Sequence, residues 1–308
     1  MVHESSNKKN PYEFQILSKA LPFSHKRYFS QKILQKIYAF STNDPYLSGD
    51  SFEALVDYVA YGKDGNSKIN RIKLRRAKTV FVVGHKLNEL VSEEFNNINA
   101  KVLISGNSDK NFDTKVQLPK SIKLWLCQNN SISDSNIVRT LPIGIENIRL
   151  ANLGFPKYYR KKTIDKILNK VIITPMSATN FTRFAAVKWG EENPEIVDVY
   201  REMVLPQEYF QMVNKYKFVL CCEGNGFDSH RLWETLYLNN FPILLKTEWS
   251  KSLKNLNLPI LIVDTYGQIN QELLLDFYNR WKNFEAINTE ALWIPYWEKL
   301  IKSYIACN

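Results

Sequence analysis

Eight short, nearly continuous apolar runs, spaced so that helices fit between them, constrain this chain more than any other feature. In the first half they are Thr79–Val83 (TVFVV), Lys101–Ile104, Ile122–Leu126 (IKLWL) and Val138–Ile143; in the second, Val171–Thr174, Phe218–Cys222, Pro242–Leu245 and Ile260–Val263. A strand that is apolar on both faces must be covered on both faces. Helices between consecutive strands supply that cover, so the pattern predicts parallel sheets.

Apolar residues at helical spacing fill the intervals. Phe29, Ile33, Ile37 and Phe40 make a stripe over Phe23–Phe40, after a loose arm and short helix expected in residues 1–20. Phe52, Leu55, Val56 and Val59 predict a helix capped by Asp50 or Ser51, and Leu87, Leu90, Val91 and Phe95 predict another. Helices follow near Pro206–Tyr216 and over Ser229–Asn239, whereas the stretch holding Arg183, Lys188 and Trp189 reads as irregular. Residues 151–170, basic and containing Gly154-Phe155-Pro156, read as a linker. The alternation restarts after it, which predicts an α/β chain of two Rossmann-like domains facing across a cleft. The expected boundaries are 1–160, 161–285 and a C-terminal helix in 286–308.

Composition removes several classes. With 44% hydrophobic and 23% charged residues the chain is neither collagen-like nor disordered. Its net charge of +10 implies an anionic partner: nucleic acid, a phosphorylated substrate or an acidic membrane surface. The basic residues are dispersed and no nucleic-acid-binding motif accompanies them, so a nucleic-acid-binding protein ranks as the alternative from another class. Cys127, Cys221, Cys222 and Cys307 form no CxxC pair and read as reduced, small apolar residues of a cytoplasmic protein. The start MVHESSNKKNPYEF lacks the apolar stretch of a secretory signal, and no run approaches the roughly 20 residues of a membrane span.

Chemistry concentrates in Tyr216–Leu245, YKFVLCCEGNGFDSHRLWETLYLNNFPILL. A strand delivers Glu223-Gly224-Asn225-Gly226 at its carboxyl end, and Asp228 is placed to cap the next helix. The two glycines permit positive φ and close backbone approach to a ligand. The helix aims its free N–H groups at the same loop, which makes an anion site. Arg231 and Glu234, three apart, share one face, while Leu232/Leu236 and Trp233/Tyr237 form apolar ridges. A guanidinium suits phosphate and a carboxylate suits paired sugar hydroxyls. An exposed ion pair beside an ordinary turn fits the same spacing.

The string EGNGFDSHRLWETLYLNNFPILL resembles the glycosyltransferases with an exostosin-like donor domain. Ile104-Ser105-Gly106-Asn107-Ser108-Asp109, Leu124-Trp125-Leu126-Cys127-Gln128-Asn129, Leu141–Asn147 and Leu258–Asp264 resemble further segments of that family. The chain departs from the pattern at Ser105-Gly106, where Thr-His is usual, at Cys222 in place of Pro and at Thr235 in place of Ala. The resemblance implies a GT-B architecture with a nucleotide-diphosphate sugar as donor and co-substrate. It places Arg231 on the diphosphate, Glu234 on the ribose, Gly224 and Gly226 beside the phosphates, and Glu223, Asn225 and His230 around the pocket. Arg183 is a second candidate phosphate contact. A fucosyltransferase-like enzyme using a GDP-sugar is the alternative within the class, since its donor domain also has a Y-K-F-x-L-x-x-E strand end.

An inverting transfer needs a general base near the acceptor hydroxyl. Asp109, after a strand end, is the first candidate, with Asp50 and His85 as rivals; Asp50 also reads as a helix cap and His85 as a structural hydrogen bonder. No D-x-D, Cys/His cluster or G-x-x-x-x-G-K-[ST] loop occurs, so the expectation is a metal-independent transferase without a bound cofactor. The acceptor would be a hydroxyl of a glycan or glycolipid in surface polysaccharide synthesis, at the cytoplasmic face of a membrane. Finally, Ala291–Ile305 (ALWIPYWEKLIKSYI) is amphipathic and reads either as a helix packing back on the body or as one lying on an anionic membrane surface.

Overall fold

A computed structural model describes residues 25–61, 67–132, 135–159, 165–283 and 289–306. The arm expected in residues 1–20, Cys307 and residues 160–164 of the expected linker lie outside them. The fold is mixed α/β and rests on two five-stranded sheets, parallel at every pairing. Helices α1 (His25–Ile37) and α2 (Gly49–Glu53) come first. They are followed by β1 (Tyr58–Ala60), α3 (Arg71–Arg76), β2 (Thr79–Val83), α4 (Leu87–Glu94), β3 (Val102–Gly106), β4 (Leu124–Cys127) and β5 (Val138–Thr140). The second sheet is made of β6 (Ile167–Ile173), β7 (Val197–Val199), β8 (Tyr216–Leu220), β9 (Phe241–Leu245) and β10 (Leu261–Val263). Between and after its strands stand α5 (Phe181–Glu192), α6 (Pro206–Asn214), α7 (His230–Tyr237), α8 (Glu248–Ser252), α9 (Gln271–Trp281) and α10 (Ile294–Ala306).

The two sheets differ in winding. The first runs β1-β2-β3-β4-β5 in chain order. The second runs β10-β9-β8-β6-β7, so β6 has β7 on one side and β8 on the other, and the chain reverses direction there. Loops leaving the carboxyl ends of strands at such a reversal part in opposite directions and leave a crevice.

Alternation along each strand distributes the core. In β2, Val80 and Val82 pack with Leu74, Leu87 and Leu90, while Phe81 and Val83 turn to the opposite face. In β8, Phe218 and Leu220 join Ala186, Leu274 and Phe277, while Val219 faces the other way. The inner faces of both sheets belong to one apolar cluster, filled by Phe52, Leu232, Trp233, Ile294 and Trp297.

Three expectations are corrected, and one of two open readings is favoured. The helix expected through Val59 stops at Glu53, and Tyr58–Ala60 is a strand instead. The Asp57 carboxylate accepts the N–H groups of Lys78 and Thr79, which holds this segment extended beside β2. Ser48, not Asp50 or Ser51, caps α2. The stretch around Arg183 is helical: Asn180 caps it by accepting from Thr182 N, and Gly190 lets it lie directly on Ile173, Val197 and Val199. Of the two readings of the last helix, the contacts fit packing on the body: Trp297 and Ile301 of α10 are buried and Trp297 meets Phe52 edge-on.

Candidate active site

The loops at the reversal hold one another. After β6, Asn180 donates from Nδ2 to the Gly224 carbonyl at 3.2 Å, and Arg183 donates from Nε to the Glu223 carbonyl at 2.8 Å and from Nη1 to the Ser177 carbonyl at 2.9 Å. From α7, Arg231 donates through Nη2 to the Pro175 carbonyl at 2.8 Å. Two guanidinium groups therefore converge between the β6 and β8 loops. Burial, and then the charge of Arg231 beside it, push the Arg183 pKa down, as expected of neighbouring like charges. Burial also raises the Glu223 carboxyl, against the hydrogen bond from Asn180.

The first sheet supplies the other wall. The Asn225 amide reaches an Asp109 carboxylate oxygen at 3.1 Å, Phe227 N donates to Asn111 Oδ1 at 3.0 Å, and Asp228 N donates to Asn129 Oδ1 at 2.8 Å. Asp228, expected to cap α7, does other work: its carboxylate accepts from Ile143 N at 2.8 Å and from Trp233 Nε1, and Ser229 occupies the cap position. Burial pushes its pKa up to about 7, against those hydrogen bonds. His230 Nδ1 lies 2.8 Å from the Gly144 carbonyl. A carbonyl only accepts, so Nδ1 carries the proton and, in the neutral ring, Nε2 is left as an acceptor.

The two loop glycines are not in the left-handed region; among the described glycines Gly144 alone has positive φ, at 69°. A Cβ at Gly226 would stand 2.5 Å from Asn129 Nδ2, so that glycine admits the side chain of the opposite wall. A Cβ at Gly224 would meet Arg183 Nη2 at 3.3 Å.

Glu234 is not the exposed ion-pair residue that its spacing also allowed. It is 3% exposed, with Oε2 accepting from the Tyr209 hydroxyl at 3.0 Å and a buried Oε1 that has no hydrogen-bond partner among the described residues. Burial raises its pKa; His230, Arg231 and the Tyr209 hydrogen bond oppose the rise. Asp50, a rival base, is 2% exposed and its carboxylate pairs with Arg149 at 2.7 Å, which anchors the turn at Ile148–Leu150. His85 is exposed after β2, in the turn that follows it, where Gly84 abuts Ser108. Asp109 is exposed, and of the three base candidates it is the one hydrogen-bonded to the Glu223–Gly226 loop.

Sequence reasoning passed over Asn111, Asn129 and Ser177. A signal existed for one of them: Asn129 stands just beyond β4 at φ 55°, a conformation Asn tolerates better than most residues. Burial lifts the Cys221 thiol to about 12 and also raises Cys222, the opposite of the lowered pKa that activates a thiol. Among the described residues no three His, Cys, Asp or Glu gather as a metal-binding cluster, and no helix is long and apolar enough to cross a membrane. No family model matches the chain, and neither does any curated protein.

Proposed function

We propose that this chain is a glycosyltransferase of GT-B type that moves a sugar from a nucleotide-diphosphate donor to a hydroxyl of a glycan or glycolipid, at the cytoplasmic face of a membrane. The observation that carries the reading is the convergence of Arg183, Arg231 and the amino terminus of α7 at the strand-order reversal of the second sheet. A diphosphate is the anion that such a set fits best, since it spans two guanidinium groups and takes helix N–H donors. The exostosin-like string, read independently of the geometry, contains Arg231 and the amino terminus of α7 but not Arg183.

In this reading Arg183 and Arg231 hold the diphosphate and neutralise it as it leaves. The acceptor oxygen forms its bond to the anomeric carbon while the bond from that carbon to the diphosphate oxygen breaks. Asp109 takes the proton of the acceptor hydroxyl. The exostosin-like string assigns Glu234 to a ribose hydroxyl; its Oε1, the oxygen that Tyr209 does not occupy, is buried and has to be uncovered when the donor binds. Guanidinium and N–H groups do the neutralising, so transfer is expected to continue in excess chelator.

Thermal unfolding with a panel of nucleotide sugars tests the proposal. A ligand at about 100 times its dissociation constant adds about 2.7 kcal/mol. One nucleotide class should stabilise the wild type and leave Arg231→Ala unmoved. Failure of every nucleoside diphosphate and nucleotide sugar to stabilise the wild type would overturn it.

A further inference from the structure

Helix α1 is packed with its polar side inward. The side-chain amides of Gln31 and Gln35 each donate to the Leu150 carbonyl at 3.2 Å, and Tyr38 meets Phe155 edge-on at 5.4 Å. The glutamine side of the helix therefore rests on the protein. The stripe that periodicity marks as core points the other way: Ile33 is 46% exposed, Ile37 63% and, just beyond the helix, Phe40 97%. Lys32 and Lys36 are exposed on the same side, each next in sequence to an isoleucine.

The charge of the helix is of one sign. His25–Ile37 holds Lys26, Arg27, Lys32 and Lys36 and no Asp or Glu. We propose that this face of α1 docks the protein on an anionic lipid bilayer. Isoleucine and phenylalanine on a single projecting helix would enter the headgroup boundary. The lysines would lay their methylene stems along that apolar surface and carry their ammonium groups to lipid phosphates. A cationic face favours this occupant over a second copy of the chain, because two copies meeting through α1 would oppose lysine to lysine. The inference does not rest on the proposed reaction: it uses none of the crevice residues. It moves membrane contact from α10, where the sequence alone suggested it, to the other end of the chain.

Vesicle co-sedimentation of the full chain tests it, with phosphatidylglycerol-containing vesicles against pure phosphatidylcholine. The wild type should bind the anionic vesicles only, and less well as salt rises from about 0.1 M to about 1 M, where the screening length contracts from about 10 Å to about 3 Å. Ile33→Ser/Ile37→Ser/Phe40→Ser should weaken binding by roughly tenfold or more, and Lys32→Gln/Lys36→Gln should weaken it at low salt. All of these side chains are exposed, so the thermal midpoint should hold in both variants. Absence of wild-type binding to anionic vesicles, or binding unchanged in the triple-serine variant, would overturn the proposal. So would concentration-dependent dimers that the triple-serine variant abolishes in the absence of lipid, since the occupant would then be a second copy.

Discussion

The side-chain amide of Asn225 donates to Asp109 Oδ2 at 3.1 Å, joining residues 116 positions apart. The contact sets an exposed carboxylate from the end of β3 against the tip of the loop after β8. That is where a base must stand if the donor lies along the loop and the acceptor approaches from the first sheet.

Asp109→Asn keeps an oxygen for Asn225 and removes only the proton acceptor. Under the proposed function it should bind donor normally and lose transfer by roughly 10²–10⁴-fold, the usual worth of a positioned base. Single-turnover assays beside donor titration check this. Turnover within a few-fold of wild type would exclude Asp109 as the base and pass the role to His85, since Asp50 is sealed under Arg149.

Glu234 needs two substitutions. Alanine would strand the Tyr209 hydroxyl in the core and should cost about 1–3 kcal/mol of stability, so loss of activity there carries no information about a ribose contact. Glu234→Gln keeps an acceptor for Tyr209. It should retain most of the stability while weakening nucleotide-sugar affinity, measured by titration calorimetry. Equal affinity in the Glu234→Gln variant and the wild type would remove the ribose role.

Local pattern made the central strands and the edge strands β5 and β10 legible, because these sit in longer apolar runs, and missed β1 and β7. TVFVV in β2 has every residue buried and reads as a strand at sight. The three-residue strands β1 and β7 carry no period long enough to detect, and both lie at sheet edges. For α5, Gly190 weakened the helical signal, yet it is there because the helix needs its closeness to Ile173. Spacing correctly put Arg231 and Glu234 on one side of α7, but only α6 packing against it, through Tyr209, determines that Glu234 is buried. Strand order, and with it the reversal at β6 and β8, is a long-range property that no local window encodes. The α1 stripe shows the converse. Its period was real, but two glutamines bonding the Leu150 carbonyl decided which side faces the protein.

The two loop glycines should separate on substitution. In Gly226→Ala the new methyl group collides with the Asn129 amide, which already donates to the Ser108 carbonyl and accepts from Asp228 N. Overpacking of this kind costs about 1–3 kcal/mol, read as a fall in the urea midpoint. In Gly224→Ala the methyl meets only the end of the Arg183 side chain. Stability should change little, and donor affinity should fall as Arg183 is displaced. Equal stability loss in both variants would show that Asn129 yields as easily as Arg183.

Asp228 makes stability depend on pH with a sign opposite to that of a salt-bridged carboxylate. Its pKa rises from 3.8 to about 7 on folding, because burial disfavours the ionised form more than Ile143 N and Trp233 Nε1 favour it. Between those values the native state holds the proton and the unfolded chain does not, so stability falls as pH rises. The contribution is complete below about pH 4 and fully lost above about pH 7, with a slope approaching 1.4 kcal/mol per pH unit between them. Glu223 and Glu234, also raised by burial, add the same sign, while Asp198, whose carboxyl is held low by Lys170 and Tyr216 against its own desolvation, has the opposite one. Asp228→Asn removes one titration and leaves the others. Urea unfolding of wild type and Asp228→Asn at several pH values from about 4.5 to about 7.5 isolates the difference. The variant should gain on the wild type steadily with rising pH and run parallel to it above pH 7. Stability curves parallel throughout the range would mean that Asp228 is already ionised in the folded protein at acid pH, and that the hydrogen bonds from Ile143 and Trp233 outweigh its burial.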